Sequence, residues 1–423
     1  MTKERIQQFI REHCSADDYT FSISETDSHQ TRFAQNAITQ HIAGPQVRIS
    51  LKVSFGTKSG NSMVNLANEE SLLRLIQTAE ENARLAPGDP EFVPSTGAAV
   101  LPKVDNSSES TNSLSPKQMV GIVQNCIDRA KTLGATVSGM CEKHLSHKFE
   151  FTKNGFVGED AHSTFGHSMT LKRGEVETKV SYEAKDFASF DVAKEFDRLA
   201  AQAEALSHMQ SFEPQKIAVI LRPNALEELM WFMIWMMNRR ESDEGFTPFT
   251  GMLDKECFGK KFSLYSTLQH PDLIAPAFKA SLPNKETTWV ERGILKNMPA
   301  DRYWAQKTAC GAQNAYNIYI PGEGTSEAEM MKMVPRGLII NRFWYIRFVD
   351  MKAGELTGMT RDGVLYFENG EVKHAVNNLR FNEIPQDVTR RILALGKEAL
   401  ASPYAVVPTI LVEDFNFVDK TSF

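Results

Sequence analysis

Cys141, His144 and His147, with His162 and His167 downstream, are the most metal-like cluster in the chain. On a strand, successive side chains alternate faces, so Cys141 and His147 point one way and His144 the other. A single site holding all three requires a bulge. Glu142, Lys143, Lys148, Glu150 and Lys153 surround the cluster, a pattern that suits a solvated hairpin face. A serine nucleophile needs a positioned base and oxyanion donors, and no GxSxG elbow is present. Gly322-Glu323-Gly324-Thr325-Ser326 is glycine-rich but leads into a helix without a Walker lysine. Thr325 or Ser326 as an N-cap is the simpler reading.

Acid–base chemistry has candidates in Glu227 and Glu228, on the helix-like run Pro223–Arg240 that is apolar almost all round. Adjacent helix positions face about 100° apart, so at most one of the two points into a shared cavity. The alternative role is to complement the helix dipole, with Arg239 and Arg240 at the other end. The arginines of the C-terminal region are more suggestive. Arg342 and Arg347 interrupt an apolar strand with Trp344 and Tyr345 between them, Arg361 lies in the turn Thr360-Arg361-Asp362-Gly363, and Arg380 follows another strand. Buried arginines demand partners. These could be a ligand's carboxylate or a peptide backbone, or internal bridges to Asp350, Asp362 and Glu368.

The elements that must position these groups read as α+β. A short amphipathic helix near Lys3–Glu12 precedes a strand at Tyr19–Ser24 and a strict alternation from Val47 to Phe55. Asn68 can cap a helix running to about Leu85. Residues 86–116 hold five prolines and a Ser/Asn cluster, the composition of a long connection. A helix opened by Ser115-Pro116 leads to β-structure over Thr136–Phe187, with Asn154-Gly155 as a hairpin turn. A helix at Ala193–Met209 and a strand at Lys216–Leu221 precede the central helix. Beyond it lie strands at Gly337–Val349, Val364–Val376 (with a turn at Asn369-Gly370) and Val406–Val412, and a helix predicted at Gln386–Leu400. The domains expected are residues 1–86, an N-terminal α/β domain; 87–116, a Pro/Ser-rich connection; 117–212, a middle α+β region with β-hairpins; and 213–423, a β-rich C-terminal domain.

At 423 residues the chain exceeds what one core usually organises. Its net charge of −6, without a block of like charge, weighs against a nucleic-acid surface. The apolar part of the central helix falls short of the roughly 20 residues a bilayer span needs, so no membrane role is expected. The five cysteines are scattered without a CxxC, and the first residues lack a signal-peptide core; both point to a reducing cytoplasm.

Two separated stretches, Thr31-Arg32-Phe33-Ala34-Gln35-Asn36-Ala37-Ile38 with VRISLKVSFGTKSG behind it, and TGMTRDGVLYFENGEVKHAVNNLRFNE from Thr357 to Glu383, carry a family resemblance. ERGILKNMPADRYWA and YNIYIPGEGTSEAEM fit between them. The chain resembles the TldD/PmbA family, named as modulators of DNA gyrase and grouped with metallopeptidases. The resemblance implies an N-terminal α/β domain, a β-rich C-terminal domain enclosing a cavity, and an assembly of two subunit types. The catalytic type carries an HExxxH helix, whose Glu is the general base, and a later cysteine ligand; the other type lacks them and pairs with the first. Here the corresponding helix offers Ala225-Leu226-Glu227-Glu228-Leu229-Met230-Trp231, no His lies between His208 and His270, and no Cys follows Cys310.

The expectation is therefore a cytoplasmic PmbA-type chain with no zinc cofactor and no catalytic residues of its own. Its partner would be an HExxxH-bearing TldD-type subunit, or a second copy of itself, and its substrate a peptide. Arg347 and Arg361 are the residues nominated for peptide contact. The alternatives are an active peptidase or other hydrolase with a divergent site, and a regulatory protein acting on gyrase through a protein contact.

Overall fold

Local signals set the helix starts. The Asn68 side chain accepts the Ser71 N–H at 2.8 Å, and Ser115 with Gln118 and Ser326 with Glu329 form reciprocal capping boxes. The computed structural model describes residues 1–421. Its N-terminal half comprises α1 (Lys3–His13), β1 (Asp18–Ala34), β2 (Ala37–Phe55), β3 (Lys58–Val64), α2 (Glu69–Leu85), α3 (Glu109–Asn112), α4 (Pro116–Thr132), β4 (Thr136–Thr152), β5 (Val157–Arg173), β6 (Val176–Ala184) and α5 (Val192–Ser207).

These strands form one six-stranded sheet in the order β3-β2-β1-β4-β5-β6. The segments read from sequence as a separate N-terminal domain and middle region thus share a sheet, because β1 pairs with β4 from Thr20–Thr152 to Phe33–Gly139. Such pairing across more than a hundred residues leaves no local mark in sequence. Tyr19, Phe21, Ile23, Leu51, Phe149 and Phe151 pack against α1 and α2. Phe33, Val137, Cys141, Phe165, Met169 and Leu171 pack against α4 and α5. The alternate residues form the other face, where Glu150 is buried and accepts from Ser281 of the C-terminal half.

That half comprises β7 (Lys216–Leu221), α6 (Pro223–Met236), α7 (Arg239–Asp243), β8 (Leu264–Ser266), β9 (Phe278–Lys279), β10 (Leu282–Pro283), β11 (Thr287–Glu291), β12 (Ile294–Leu295), α8 (Arg302–Thr308), β13 (Ile318–Tyr319), α9 (Glu327–Met333), β14 (Arg336–Asp350), β15 (Glu355–Glu368), β16 (Glu371–Val376), β17 (Leu379–Glu383), α10 (Pro385–Arg390), β18 (Ile392–Ser402) and β19 (Ala405–Lys420). β7 runs parallel to β14 and antiparallel to β19, so β7, β14, β15, β17 and β19 close into a ring. α6 packs on one face of these strands, with Leu226, Leu229, Met230 and Met233 against a core that includes Phe343, Phe381 and Phe415. The Phe343 and Phe381 rings lie 4.5 Å apart. Met330 of α9 covers the other face.

Two sequence expectations change here. The helix predicted over Gln386–Leu400 stops at Arg390, and Ile392–Ser402 is a strand paired with β19. Pairing outweighs the helix propensity of its Leu, Ala, Lys and Glu residues. The central helix ends at Met236, and Asn238 caps a separate short helix that carries Arg239 and Arg240. Nor is α6 buried all round, since Trp235 is 58% exposed.

The connection 86–116 lies across the two halves. Glu91 pairs with Arg240 at 2.7 Å, and buried Asn106 both donates to the Ala275 carbonyl and accepts the Ala275 N–H at 2.8 Å.

Candidate functional site at the domain seam

The Cys/His cluster does not assemble. Cys141 and His167 are cross-strand neighbours in the buried face, with the Cys126 thiol 3.8 Å from His167 Nε2. Burial pushes the Cys126 thiol up to about 12 and the His167 imidazole down to about 4, so both are held neutral. His144 meets Ser28 and Glu142 instead, and His147 meets Glu159. No group of three or more His, Cys, Asp or Glu side chains among the described residues is arranged to hold a metal. The glycine-rich loop at Gly322 carries the N-cap Ser326 of α9, which bonds the Glu329 N–H at 3.2 Å.

The chemistry-bearing residues of α6 face the seam between the two halves. Neither glutamate lies in the first turn, so the helix dipole does not account for them. Glu227 Oε1 accepts from Trp231 Nε1 at 3.2 Å and from the Ser402 hydroxyl at 2.5 Å. Glu228 Oε2 accepts the Phe343 N–H at 2.7 Å, and its Oε1 stands 4.0 Å from Arg342. Desolvation raises both carboxyls above their ordinary value, Glu228 to about 8 against the opposing pull of Arg342 and the Phe343 N–H.

Arg342 is held by Asp362. Of the three internal partners the sequence allowed, the fold selects Asp362, next to Arg342's cross-strand neighbour Arg361 in the β14–β15 pair. Arg222 is bidentate on Glu327, at 2.9 and 2.8 Å, and donates to Asn341 at 2.6 Å. Gln202 of α5 donates both to Thr178 of β6 and to the Asp362 carbonyl, bridging the two halves. Sequence reasoning missed Gln202, a polar residue on the outer side of an amphipathic helix with nothing local to distinguish it.

Two cavities flank this bridge and share Lys179, Arg342 and Asp362. One of about 440 Å³ is lined also by Arg198, Arg222 and Asn224. The other, of about 510 Å³, is lined by Val176, Leu206, Met209, Trp344 and Arg361. Arg361 thus lies in the seam, its guanidinium 4.5 Å over the Trp344 ring. Arg347 lines neither cavity; it stacks 4.1 Å over Tyr345 and donates to the Ile346 carbonyl.

A zinc ion does not fit this residue set. Catalytic zinc takes three protein ligands from His, Cys and carboxylate side chains. α6 supplies two carboxylates, one engaged by Trp231 and Ser402 and the other by Phe343 and Arg342, and neither imidazole nor thiolate.

The fold and seam define a two-domain α+β protein in which a helical layer on one sheet and a closed β-ring with a central helix meet around a polar cleft. The C-terminal domain matches a known family: residues 214–419 fit the PmbA/TldA metallopeptidase C-terminal domain. No curated protein matches it in sequence. In structure it resembles TldE from Thermococcus kodakarensis, at 15% identity and a TM-score of 0.88, over 98% of this chain and 99% of that one. It also resembles a Thermotoga maritima protein proposed as a modulator of a DNA gyrase, at 18% identity and a TM-score of 0.84, over 98% and 99%. A Bacteroides thetaiotaomicron protein proposed for the same role aligns at 14% identity and a TM-score of 0.86, over 98% of each chain. At these identities the likeness establishes the fold. No helix among the described residues is long and apolar enough to cross a membrane.

Proposed function

We propose that this chain is a non-catalytic, zinc-free partner subunit of the TldE type, pairing with an HExxxH-bearing TldD-type subunit in cytoplasmic peptide maturation or proteolysis. The observation that carries the reading is the character of α6. Leu226, Leu229 and Met230 are spent in the core, and Glu227 and Glu228 are spent on internal partners. The helix that bears the chemistry in a catalytic relative here secures the fold. The seam supplies peptide contacts, with Arg361 inside it.

The test is co-expression with a TldD-type relative, followed by co-purification and peptide cleavage. A stable hetero-complex whose cleavage depends on this chain is expected. Failure to associate, or cleavage indifferent to this chain, overturns the reading. A homo-oligomer that cleaves peptide and loses that activity on chelation would instead establish a divergent metallohydrolase.

A further inference from the structure

β14 carries two adjacent aromatic residues, Trp344 and Tyr345, in a stretch where regular alternation would bury one of them. It does not, because the pairing with β15 slips between Trp344 and Arg347 and Tyr345 adopts φ +58°. A bulky residue in the left-handed region is a conformational cost that the surrounding structure must hold in place. Both rings end up exposed, Trp344 at 41%. Trp344 lines the cavity of about 510 Å³, opposite Leu206 and the exposed Met209 of the other domain.

Arg361 is the second unusual feature of that cavity. It is half-buried and stacked on Trp344, and among the described residues its side chain makes no ion pair and no hydrogen bond. The neighbouring guanidiniums are committed, Arg342 to Asp362 and Arg222 to Glu327. Stacking on a ring uses no N–H donor, so the fork of Arg361 remains available for a planar anion. Lys179 adds a second cation at the mouth, while Glu175 and Glu177 lie exposed on the rim, where solvent screens them.

We propose that this cavity recognises a carboxylate set beside a large apolar side chain in a peptide, the carboxylate held by Arg361 and the apolar group held between Trp344, Leu206 and Met209. The proposal takes the peptide from the functional reading above and adds what part of it is recognised and where. A C-terminal carboxylate on an apolar last residue and an aspartate preceding an apolar residue both supply this chemistry.

Calorimetry on the full-length chain alone separates them, using acetyl-Gly-Gly-Phe with a free C-terminus, the same peptide as its amide, and acetyl-Gly-Asp-Phe-amide. At least one acid-bearing peptide is expected to bind ten-fold or more tightly than acetyl-Gly-Gly-Phe-amide, and which one binds identifies the source of the carboxylate. Arg361→Gln should abolish that preference, Arg361→Lys should restore part of it, and Trp344→Leu should weaken the acidic peptides. Arg84→Gln, far from the cavity, should not. Equal binding of acid and amide, no binding of any peptide, or an unchanged preference in Arg361→Gln overturns the proposal. The peptide series needs no mutant, so a misfolded variant cannot obscure the result. Because no catalytic subunit is present, failure here leaves the partner role standing, and failure of pairing leaves this result standing.

Discussion

Glu228 of α6 accepts the backbone N–H of Phe343 at 2.7 Å, which fixes the central helix to β14 one residue before the exposed Trp344. The bond gives the half-buried Glu228 side chain a fixed backbone partner. Phe343 itself is fully buried among Phe381 and Phe415, so its strand cannot shift without opening the core. The central helix is thus used to hold the segment from which the seam's aromatic wall projects.

Titration of Glu228 should be visible in stability. Its folded value of about 8 lies above the ordinary 4.5. The folded chain therefore keeps a proton that the unfolded chain releases, and stability present at low pH is lost as pH rises towards 8. Glu228→Gln keeps an acceptor for the Phe343 N–H but cannot ionise. Thermal melts at pH 6.5 and 8 should show the wild type losing stability and the variant losing less, so that the variant is the more stable at pH 8. Parallel curves for the two proteins would exclude Glu228 as the titrating group.

His167 should act in the opposite direction and at lower pH. Buried to 3% exposure, it titrates near 4 in place of 6.5. The unfolded chain takes up a proton below 6.5 that the folded chain refuses, so stability falls as pH drops from 6.5 to 4. At 1.36 kcal/mol per pH unit that shift corresponds to about 3 kcal/mol. His167→Leu, which fits among Phe33 and Phe190, should lower the midpoint of acid unfolding followed by circular dichroism. An unmoved midpoint would place the acid sensitivity elsewhere.

Two glycines should respond to alanine with opposite signs. A Cβ at Gly60 of β3 would lie 2.2 Å from Ala83 N and 2.4 Å from Ala79 O, both backbone atoms of α2. The helix must move, so Gly60→Ala should cost at least the roughly 1–3 kcal/mol typical of overpacking. Gly121 lies exposed in α4, and a Cβ there meets nothing within 4 Å. Gly121→Ala should stabilise by about 0.5–1 kcal/mol, through helix propensity and a less flexible unfolded chain. Urea denaturation measures both.

These local effects are the kind of information the chain displays openly. The alternation of β2, the Asn68 and Ser115 caps and the Asn369-Gly370 turn, whose two residues have φ of 53° and 80°, depend on neighbours in sequence. The sharing of one sheet by β1 and β4 does not, nor does the conversion of ILALGKEALAS to a strand, where β19 supplies the hydrogen bonds. The site divides in the same way. Arg342 was legible as a buried arginine in need of a partner, and Asp362 was among the choices. The seam cavity was not legible, because Leu206 and Met209 come from one domain and Trp344 and Arg361 from the other. Glu227 and Glu228 looked alike in sequence and differ only in what lies over them, Ser402 for one and the β14 backbone for the other.

Gln202 offers a direct measure of how firmly the seam is held. Its amide donates to Thr178 and to the Asp362 carbonyl, joining β6 to the irregular stretch of β15 that positions Arg342. Residues 360–363, read from sequence as a turn, lie inside that strand. Gln202→Ala removes both bonds, together with the long ones to the Lys179 carbonyl at 3.4 Å and from Asn341 Nδ2 at 3.5 Å, but the Asp362 carbonyl still accepts from Asn341 Nδ2 at 3.1 Å and is not orphaned. The cost should therefore stay near 1 kcal/mol, a single net hydrogen bond, and not the full penalty of an unsatisfied carbonyl. In a domain of this size that lowers the melting temperature by about 2–4 °C. Hydrogen exchange should quicken at residues 178–181 and 361–364 while the β7, β14 and β19 amides stay protected, because a seam can open without unfolding either core. Uniform acceleration across both domains would show that Gln202 supports the whole fold and does not latch the cleft.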